Sequence, residues 1–561
     1  MPSCDMGTGS RSTTGADLLV ASLRAAGVSV VFGLPGVHNL ALWSAISRSD
    51  IHLVTVRHEQ AAAYAADGYS RTTGRVGVAL TTTGPGAANT LGAVGEAWAG
   101  RSRVVVVATD IPSTLRRPGV YRGVLHETVD QGAMFAPVVK RVAKVTDARL
   151  SGQVLTDALA DAAEAPSRPV YVEIPTDYLS VEVDGLSPVT AESSISEARD
   201  QTADIDAALA LLARSQRPLI WVGGGAVASN ASVAVATLAS KLCAPVITTY
   251  QARGLIGRDH PCAVGLPPHV PQAGRLWDEA DVVVAVGTDF DGMMTQNWRM
   301  PAPQRLIVVN VDPVDGSKSY VPDVVIASDA ASAVAAIADS VEQREGLEAL
   351  RDRLAGLRRQ VRQDLYEENP EAVEFLDGFD RAVPNDAIVV ADMCIPGYWL
   401  GAFHPFNGPR QLAYPVGWGT LGFAFPASIG AAVGAAADPG RRPVVSVSGD
   451  GGFLFACGEL ATLAQENVPL TAVVVDDGGY GMLRFDQRHS GETPFGVDLV
   501  TPDFEALARS FGISAQTVDG LGKDFSEALA ESVGDPNPSV LVARASLDPP
   551  PTTSPRWYRA R

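Results

Sequence analysis

The chain has 561 residues, of which 46% are apolar and 19% charged, so it suits a globular protein of several domains. The formal net charge is −19 and no Lys/Arg-rich run occurs, which argues against nucleic acid as a partner. No apolar stretch is long enough to cross a membrane, and residues 1–14 are too polar for a signal peptide. The five scattered cysteines include no Cys-x-x-Cys pair, so we expect a reduced, cytoplasmic protein.

Strands and helices alternate in the first third of the chain. The apolar patterns predict strands at 28–32, 51–56, 76–82 and 103–109, and helices at 16–27, 61–74 and 88–100. Such alternation is typical of βαβ units in a parallel sheet. We therefore expect a first domain over residues 14–183, and a Ser/Glu/Asp-rich linker over residues 184–204.

A second alternating block covers residues 205–340. Its predicted strands are 219–222, 245–249, 282–286 and 306–311. The glycines at 223–225 fit a loose Gly-x-Gly-x-x-Ala pattern, but no acidic residue follows about 20 positions later to bind a ribose. We interpret the turn as close packing between strand and helix, with a nucleotide site as the alternative.

The third block, residues 370–545, follows a charged helix predicted at 342–368. Within it, Asp450 and Asp477 come directly after two predicted buried strands, and glycines follow both. Ligands of parallel α/β sheets lie beyond the carboxyl ends of the strands. Carboxylate oxygens beside glycine backbone suit Mg²⁺ and a phosphate group, so we expect both to bind here.

These acidic turns resemble the thiamine diphosphate-binding motif of the superfamily that includes pyruvate decarboxylase, benzoylformate decarboxylase and acetolactate synthase. The motif has Gly-Asp-Gly and, after a spacer, usually Asn-Asn. This chain has Asp476-Asp477 in place of the asparagines, and Asp477 lies 27 residues after Asp450. The resemblance implies cofactor binding by Asp450, Gly451, Gly452, Asp477 and Gly479, with Asp450, Asp477 and the Gly479 carbonyl as Mg²⁺ ligands.

Residues 57–69 and 83–89 are similar to the pyrimidine-domain signature of the same superfamily. The resemblance implies that Glu59 hydrogen-bonds the N1′ atom of the aminopyrimidine ring and so assists removal of the thiazolium C2 proton. Without the resemblance, a carboxylate at a helix start would be interpreted as a simple cap.

Two further segments near the N-terminus match the superfamily. Gly36 lies in the loop 33–38, which matches the loop that approaches the thiazolium and binds the cofactor. His126 falls where acetolactate synthase-like members place a polar active-site residue, so it is a candidate for substrate contact or proton transfer. A histidine on a surface loop is the alternative. His38 is a weaker candidate for the same role.

Residues 417–426 form a Gly-rich turn before an Ala/Gly helix. They also resemble the family segment Gly-x-Met/Leu/Ile-Gly-Phe. The resemblance implies that Leu421 wedges between the two cofactor rings and bends the cofactor, which brings its 4′-nitrogen to C2. It also implies that the Gly419 carbonyl and the Leu421 N–H bind the aminopyrimidine.

The resemblance covers residues 14–545 and implies an α/β fold of three doubly wound parallel-sheet domains. These are a pyrimidine-binding domain (14–183), a central Rossmann-like domain (205–340) and a diphosphate-binding domain (370–545). The implied active sites lie between subunits of a homodimer or homotetramer. FAD, which acetolactate synthases bind in the central domain, is doubtful because residues 249–300 depart from their pattern.

The resemblance implies an enzyme that depends on thiamine diphosphate and Mg²⁺ and decarboxylates a 2-oxo acid. The product is then released as an aldehyde or ligated to a second carbonyl. The segments 33–38 and 125–128 look most like the acetolactate synthase-like branch that includes 5-guanidino-2-oxopentanoate decarboxylase. The alternatives are a catalytically inactive structural or regulatory member, and an NAD(P)-linked oxidoreductase that uses the glycines at 223–225.

Overall fold

The computed structural model describes residues 12–183 and 201–553. These residues form two compact units, one of residues 12–67 and 75–183 and the other of residues 68–74 and 201–553. Most of the linker predicted at 184–204 lies outside the described residues, and its last residues, 202–204, begin a helix instead. The three domain boundaries inferred from the sequence stay predictions.

The first unit contains a six-stranded parallel sheet with the strand order β3-β2-β4-β5-β7-β6, while β1 and β8 form a short antiparallel pair. The central strand β5 is buried along its whole length, as expected where helices cover both faces of a parallel sheet. The strands are β1 (Thr13–Thr14), β2 (Val30–Gly33), β3 (His52–Thr55), β4 (Gly77–Thr81), β5 (Val104–Asp110), β6 (Arg141–Lys144), β7 (Val170–Pro175) and β8 (Glu182–Val183).

The helices associated with this sheet follow the predicted alternation. They are α1 (Gly15–Ala25), α2 (Leu40–Ile46), α3 (Glu59–Thr73), α4 (Pro85–Ala88), α5 (Leu91–Ala99) and α6 (Ser151–Ala163). Helix α1 begins with a capping box, in which the Thr14 hydroxyl accepts from the Asp17 N–H and the Asp17 carboxylate accepts from the Thr14 N–H. Its apolar residues, including Leu19 and Leu23, pack into the core of the sheet.

The second unit contains two further parallel sheets, with the orders β10-β9-β11-β12-β13 and β15-β14-β16-β17-β19-β18. The fold class inferred from the sequence is therefore confirmed. The strands are β9 (Pro218–Val222), β10 (Val246–Thr248), β11 (Val282–Val286), β12 (Leu306–Val309), β13 (Val324–Ile326), β14 (Ile388–Ala391), β15 (Leu412–Ala413), β16 (Val444–Gly449), β17 (Thr471–Asp476), β18 (Ser514–Asp519) and β19 (Ser539–Arg544).

The helices of the second unit alternate with these strands, and the long helix α14 joins the two sheets along the chain. They are α7 (Thr202–Arg214), α8 (Gly224–Ala228), α9 (Ser232–Leu242), α10 (Pro271–Glu279), α11 (Gly292–Thr295), α12 (Pro313–Ser317), α13 (Ala330–Ser340), α14 (Leu347–Glu368), α15 (Pro370–Ala382), α16 (Ile395–Phe403), α17 (Ala424–Ala437), α18 (Asp450–Leu454), α19 (Leu460–Glu466), α20 (Gly481–His489), α21 (Phe504–Ser510) and α22 (Lys523–Gly534).

The two sheets of the second unit share one hydrophobic cluster. It includes Trp221 and Trp277 beside the central sheet, Leu354 on α14, and Phe375 and Trp399 beside the C-terminal sheet. All five side chains are buried. The apolar residues of α14 therefore pack into a core that continues from one sheet to the next.

The glycine turn after β9 packs against the turn after β11. The Gly225 N–H donates to the Gly287 carbonyl at 2.9 Å, and a Cβ on Gly225 would lie 2.8 Å from the Gly287 Cα. Close backbone packing accounts for these glycines, as the sequence interpretation favoured. We find no support for the NAD(P) alternative in the described residues.

Among the described residues, no helix is both long enough and apolar enough to span a membrane. The described cysteines, Cys243, Cys262, Cys394 and Cys457, are free thiols. The fifth cysteine lies outside the described residues.

Candidate active site

Glu59 begins helix α3, shortly after β3 ends at Thr55, and its side chain is buried. Its Oε2 accepts a hydrogen bond from the Asn89 side-chain amide at 3.0 Å. Asn89 is the C-cap residue of the short helix α4, which follows β4. Among the described residues, Oε1 accepts no hydrogen bond, so this oxygen is available to a ligand.

Gly36 lies close to the same place in the first unit. A Cβ on Gly36 would lie 2.6 Å from the Thr82 side chain, and one on Gly86 would lie 2.6 Å from the Thr82 Cγ2 and 3.4 Å from the Glu59 Oε1. The Thr82 hydroxyl is buried and has no hydrogen-bond partner in the described chain. The loops after β2 and β4 therefore meet beside Glu59, with a buried hydroxyl whose hydrogen bonding is unsatisfied.

His126 and His38 face each other, although 88 residues separate them. Their Nδ1 atoms are 3.3 Å apart and their rings are perpendicular, with centroids 5.1 Å apart. His126 has a φ of +68°, which is uncommon for a residue other than glycine and is frequent at functional sites. The loop carbonyl of His126 also lies against Gly84, where a Cβ would be only 2.7 Å away.

The environment of His38 disfavours its charged form. Burial lowers its pKa most, the charge of nearby His126 lowers it further, and Asp110 at the end of β5 acts in the opposite direction. Because the two Nδ1 atoms share one hydrogen bond, one must donate while the other accepts. The pair can therefore hold a proton between two rings.

Asp450 connects the two acidic turns of the second unit. It lies after β16, beside the parallel neighbour β17, and is 1% exposed. Its Oδ1 accepts from the Gly451 N–H at 2.7 Å and its Oδ2 accepts from the Gly479 N–H at 2.7 Å. Burial raises its pKa to about 7, and the charges of Asp477 and Asp476 contribute to the increase.

Asp477 lies at the carboxyl end of β17. Its Oδ1 is buried and has no hydrogen-bond partner among the described residues, although the Arg484 guanidinium lies 3.9 Å away. Burial raises the pKa of Asp477, and Arg484 partly opposes this effect. A buried carboxylate oxygen without a hydrogen bond is costly even beside a distant guanidinium, and it indicates a ligand that the site is built to bind.

The two turns fit a divalent cation with phosphate. Each Asp450 oxygen keeps a free lone pair beyond its single backbone hydrogen bond, and the Asp477 Oδ1 accepts no hydrogen bond from the described residues. The described chain has no cluster of three or more His, Cys, Asp or Glu side chains that could hold a metal, so a cation here would need oxygen ligands other than side chains as well. Two carboxylates and a backbone carbonyl leave positions for water and phosphate oxygens, which is the usual arrangement around Mg²⁺.

The loop before α17 lies at the same edge of the C-terminal sheet. Gly419 has a φ of +70° and lies beside Met393, and Leu421 is half-buried. The next residue, Gly422, donates its N–H to the Asp392 Oδ2 at 2.9 Å. A Cβ on Gly452 would lie 2.5 Å from that same Asp392 oxygen. Asp392 thus contacts the loop that carries Leu421 at Gly422 and packs against Gly452.

The sequence pattern gives little or no indication that four further side chains lie near these sites: Asn89, Thr82, Asp392 and Arg484. Asp392 had a recognisable signal, because it follows a buried strand of the C-terminal sheet. The others are polar residues in turns, and nothing in their local pattern indicates which side chain they contact.

Models of three protein domains match the chain in order. They are described as the N-terminal TPP binding domain (residues 13–134), the central domain (205–337) and the C-terminal TPP binding domain (394–543) of thiamine pyrophosphate enzymes. The first match contains Glu59 and His126, and the third contains Asp450 and Asp477.

Curated proteins resemble the chain over nearly its whole length. A probable 2-ketoarginine decarboxylase, AruI, of Pseudomonas aeruginosa is 34% identical over 93% of each chain. A probable acetolactate synthase large subunit of Methanocaldococcus jannaschii is 30% identical over 94% of this chain and 91% of its own. An acetolactate synthase of Bacillus subtilis is 29% identical over 94% and 92%. On this evidence the chain belongs to the thiamine pyrophosphate enzyme family.

Proposed function

We propose that the protein is a thiamine diphosphate- and Mg²⁺-dependent enzyme that decarboxylates a 2-oxo acid. The bond between the carboxyl carbon and the keto carbon breaks, CO₂ leaves, and the keto carbon then takes a proton to give an aldehyde or bonds to a second carbonyl. The observation that carries the proposal is the buried pair Asp450 and Asp477, whose oxygens remain open to a cation. The bound cofactor would supply the electron-accepting ring that makes loss of CO₂ possible.

Glu59 is the residue that we assign to proton transfer at the aminopyrimidine. The Asn89 amide donates to its Oε2 at 3.0 Å and so fixes the orientation of the carboxyl group. Oε1 is then the atom that would hydrogen-bond the aminopyrimidine. A fixed, buried carboxyl group is suited to this role because orientation and exclusion of water both favour proton transfer. We assign Gly36 to cofactor binding through the backbone of its loop, because the glycine packs against Thr82, where a Cβ would lie only 2.6 Å away.

Asp450, Asp477 and the Gly479 carbonyl are the proposed metal ligands. The Gly479 N–H holds Asp450 in place, so the two turns are already connected before a cation binds. Gly451 and Gly452 are the proposed backbone contacts of the diphosphate, and they pack so closely against Tyr480 and Asp392 that a side chain would not fit. Helix α18, which starts at Asp450, is too short to act through its dipole alone. The cation would balance the two carboxylates and the phosphate charges.

Leu421 and Gly419 would hold the aminopyrimidine and bend the cofactor. Their loop is fixed from behind by the Asp392–Gly422 hydrogen bond. His126 would contact the substrate or deliver the proton that replaces CO₂. His38 would support it as the partner ring, because a shared hydrogen bond lets one imidazole donate while the other accepts.

Reconstitution of the purified protein tests the proposal. The protein is stripped of ligands, loaded with thiamine diphosphate and Mg²⁺, and supplied with a panel of 2-oxo acids that includes pyruvate and 5-guanidino-2-oxopentanoate. We expect CO₂ release that requires both additions, with the aldehyde or a ligated product detected by mass spectrometry. Binding of thiamine diphosphate that EDTA leaves unchanged would contradict the metal assignment.

The same measurements separate the alternatives. An inactive structural or regulatory member would release no CO₂ from any substrate in the panel, although it retains Glu59 and Leu421. An NAD(P)-linked enzyme would yield a nicotinamide cofactor on extraction. FAD binding remains doubtful, and the absorbance spectrum of the extract tests it. We propose a cytoplasmic homodimer or homotetramer, and light scattering of the loaded protein gives its mass.

A further inference from the structure

A cavity of about 380 Å³ lies within the second unit, away from the acidic turns. Its walls are the loop after β10, helix α14, the end of α15 and the segment after α16. The loop is held against that last segment, because a Cβ on Gly254 would lie only 2.3 Å from the Gly408 carbonyl oxygen. Apolar side chains, including Leu255, Val361 and Phe406, form part of the lining.

Arg253 lines this cavity and is buried, with 6% of its surface exposed. Its Nη2 donates to the Ala402 and His404 carbonyls, at 3.0 and 3.1 Å, but its Nε has no hydrogen-bond partner in the described chain. None of the described carboxylates lies within ion-pair distance. A buried guanidinium without a counter-charge is unfavourable unless an anion compensates it.

Arg358 on α14 is a second cationic side chain of the lining. Its Nη1 donates to the Ala263 carbonyl at 2.5 Å, and within the described ranges it too has no carboxylate at ion-pair distance. The lining also contains three aspartates. Asp259 is exposed, lies 4.0 Å from Arg258, and acts on Arg358 only from beyond ion-pair distance. Burial lowers the pKa of Arg358 most, whereas the Asp259 charge favours the protonated form and so raises it. Asp377 pairs with Arg362, and Asp380 accepts from the His404 ring at 2.5 Å.

The cavity lies near the amino ends of the strands of the C-terminal sheet, whereas the acidic turns of the candidate active site lie at their carboxyl ends. Helix α16 starts just after the carboxyl end of β14 and ends at Phe403, which lines the cavity. The acidic turns follow β16 and β17, which run parallel to β14 and so end at the same edge as β14. A helix of nine residues spans roughly 13 Å, which separates the two places.

We propose that this cavity binds a small organic anion, through a carboxylate or phosphate group that pairs with Arg253 and Arg358 and an apolar part that contacts Leu255, Val361 and Phe406. The planar guanidinium groups suit either anionic head group. The cavity's volume is that of a metabolite-sized ligand. The site is independent of thiamine diphosphate binding and accepts its ligand while the cofactor is in place.

Calorimetric titration of the holoenzyme, saturated with thiamine diphosphate and excess Mg²⁺, tests the proposal. The probes are butyrate, butyramide and inorganic phosphate, each at constant ionic strength set with chloride. We expect saturable binding of butyrate and none of butyramide, which has the same carbon chain but no charge. Phosphate binding would assign the site to phosphate-bearing ligands, and its absence would restrict the site to carboxylates.

Two substitutions on the same helix give the matched comparison. Arg358→Gln removes a lining charge and should weaken butyrate binding about tenfold or more. Arg359→Gln, at the exposed neighbouring position, should weaken binding far less, because the Arg359 charge acts on the site only through solvent. Arg253→Met should abolish binding, but because Arg253 also holds two carbonyls, its fold is checked by circular dichroism and the conclusion rests on Arg358.

Three results would overturn the proposal: no saturable binding of butyrate or phosphate, equal affinity for butyramide, or equal weakening in the two helix variants. Activity is not the readout, so a failed titration would leave the proposed decarboxylase function untouched. Conversely, an inactive protein that binds butyrate through Arg358 would contradict only that function.

Discussion

Asp392 accepts the N–H of Gly422 on its Oδ2 at 2.9 Å, although 30 residues separate them. Its Oδ1 accepts the Met393 N–H at 3.0 Å, and its side chain is completely buried. This carboxyl group connects the end of β14 to the loop that carries Leu421. We infer that Asp392 is a positioning residue for that loop.

Asp392 should make stability depend on pH. Burial raises its pKa to about 7, while backbone hydrogen bonds oppose the increase. A folded-state pKa above the unfolded value means that the folded chain binds the proton more tightly, so stability falls as pH rises from about 4 to about 7. We expect Asp392→Asn to lose the Asp392 contribution to this slope, a few kcal/mol at about 1.4 kcal/mol per pKa unit, and to keep that of Asp450, whose pKa burial also raises to about 7.

Denaturant unfolding of the cofactor-free protein between pH 5 and 8 measures this slope. Asp386→Asn, at an exposed position shortly before β14, is the control and should keep the native slope. Parallel curves for the native chain and Asp392→Asn would show that Asp392 is ionised throughout.

Glu59→Gln should lose about 10²–10⁴-fold in turnover, because an amide cannot exchange the proton that general acid–base catalysis requires. The amide can still contact Asn89, so we expect the fold to survive. NMR of hydrogen–deuterium exchange at the cofactor C2 atom measures the defect directly. Glu164→Gln, which removes an exposed carboxylate of the same unit, should exchange normally. Normal exchange in Glu59→Gln would mean that Glu59 only caps its helix and takes no part in proton transfer.

Asp477→Asn tests the metal assignment at the position where the chain departs from the usual family motif. An asparagine offers a neutral oxygen in place of a charged one, so the Mg²⁺ concentration for half-saturation should rise roughly tenfold. Thiamine diphosphate should still saturate the protein. Asp476→Asn is the matched control, because the Asp476 Oδ1 already accepts the Gly478 N–H at 3.3 Å. If only the control changes the Mg²⁺ requirement, the ligand is Asp476.

His126→Gln should raise the pKa of His38. The substitution removes the nearby charge, but burial remains, so the pKa should rise only part of the way to its ordinary value. NMR titration of the labelled His38 ring provides the measurement. His489→Gln, at the exposed end of α20, should not alter the titration. An unmoved His38 titration would mean that the two rings are not coupled in solution.

Much of the fold could be predicted because its signals are local. Strand β11 lies at the predicted residues 282–286, and most other strands lie within a few residues of their predicted positions. Asp450 and Asp477 could be placed together because parallel neighbours end at one edge of a sheet. Glu59 could be placed at a helix start from the turn that precedes it, although its role came from family resemblance.

The sequence by itself determined the alternating parallel α/β architecture, the acidic turns and the family motif, because periodicity and turn chemistry act over a few residues. Only the tertiary structure decided which distant groups meet. It paired His38 with His126, placed Asp392 behind the Leu421 loop, and left Arg253 buried without a counter-charge beside a cavity. These relationships depend on how loops from separate strands pack, and a side chain's pattern in the sequence does not encode the partner that packing brings to it.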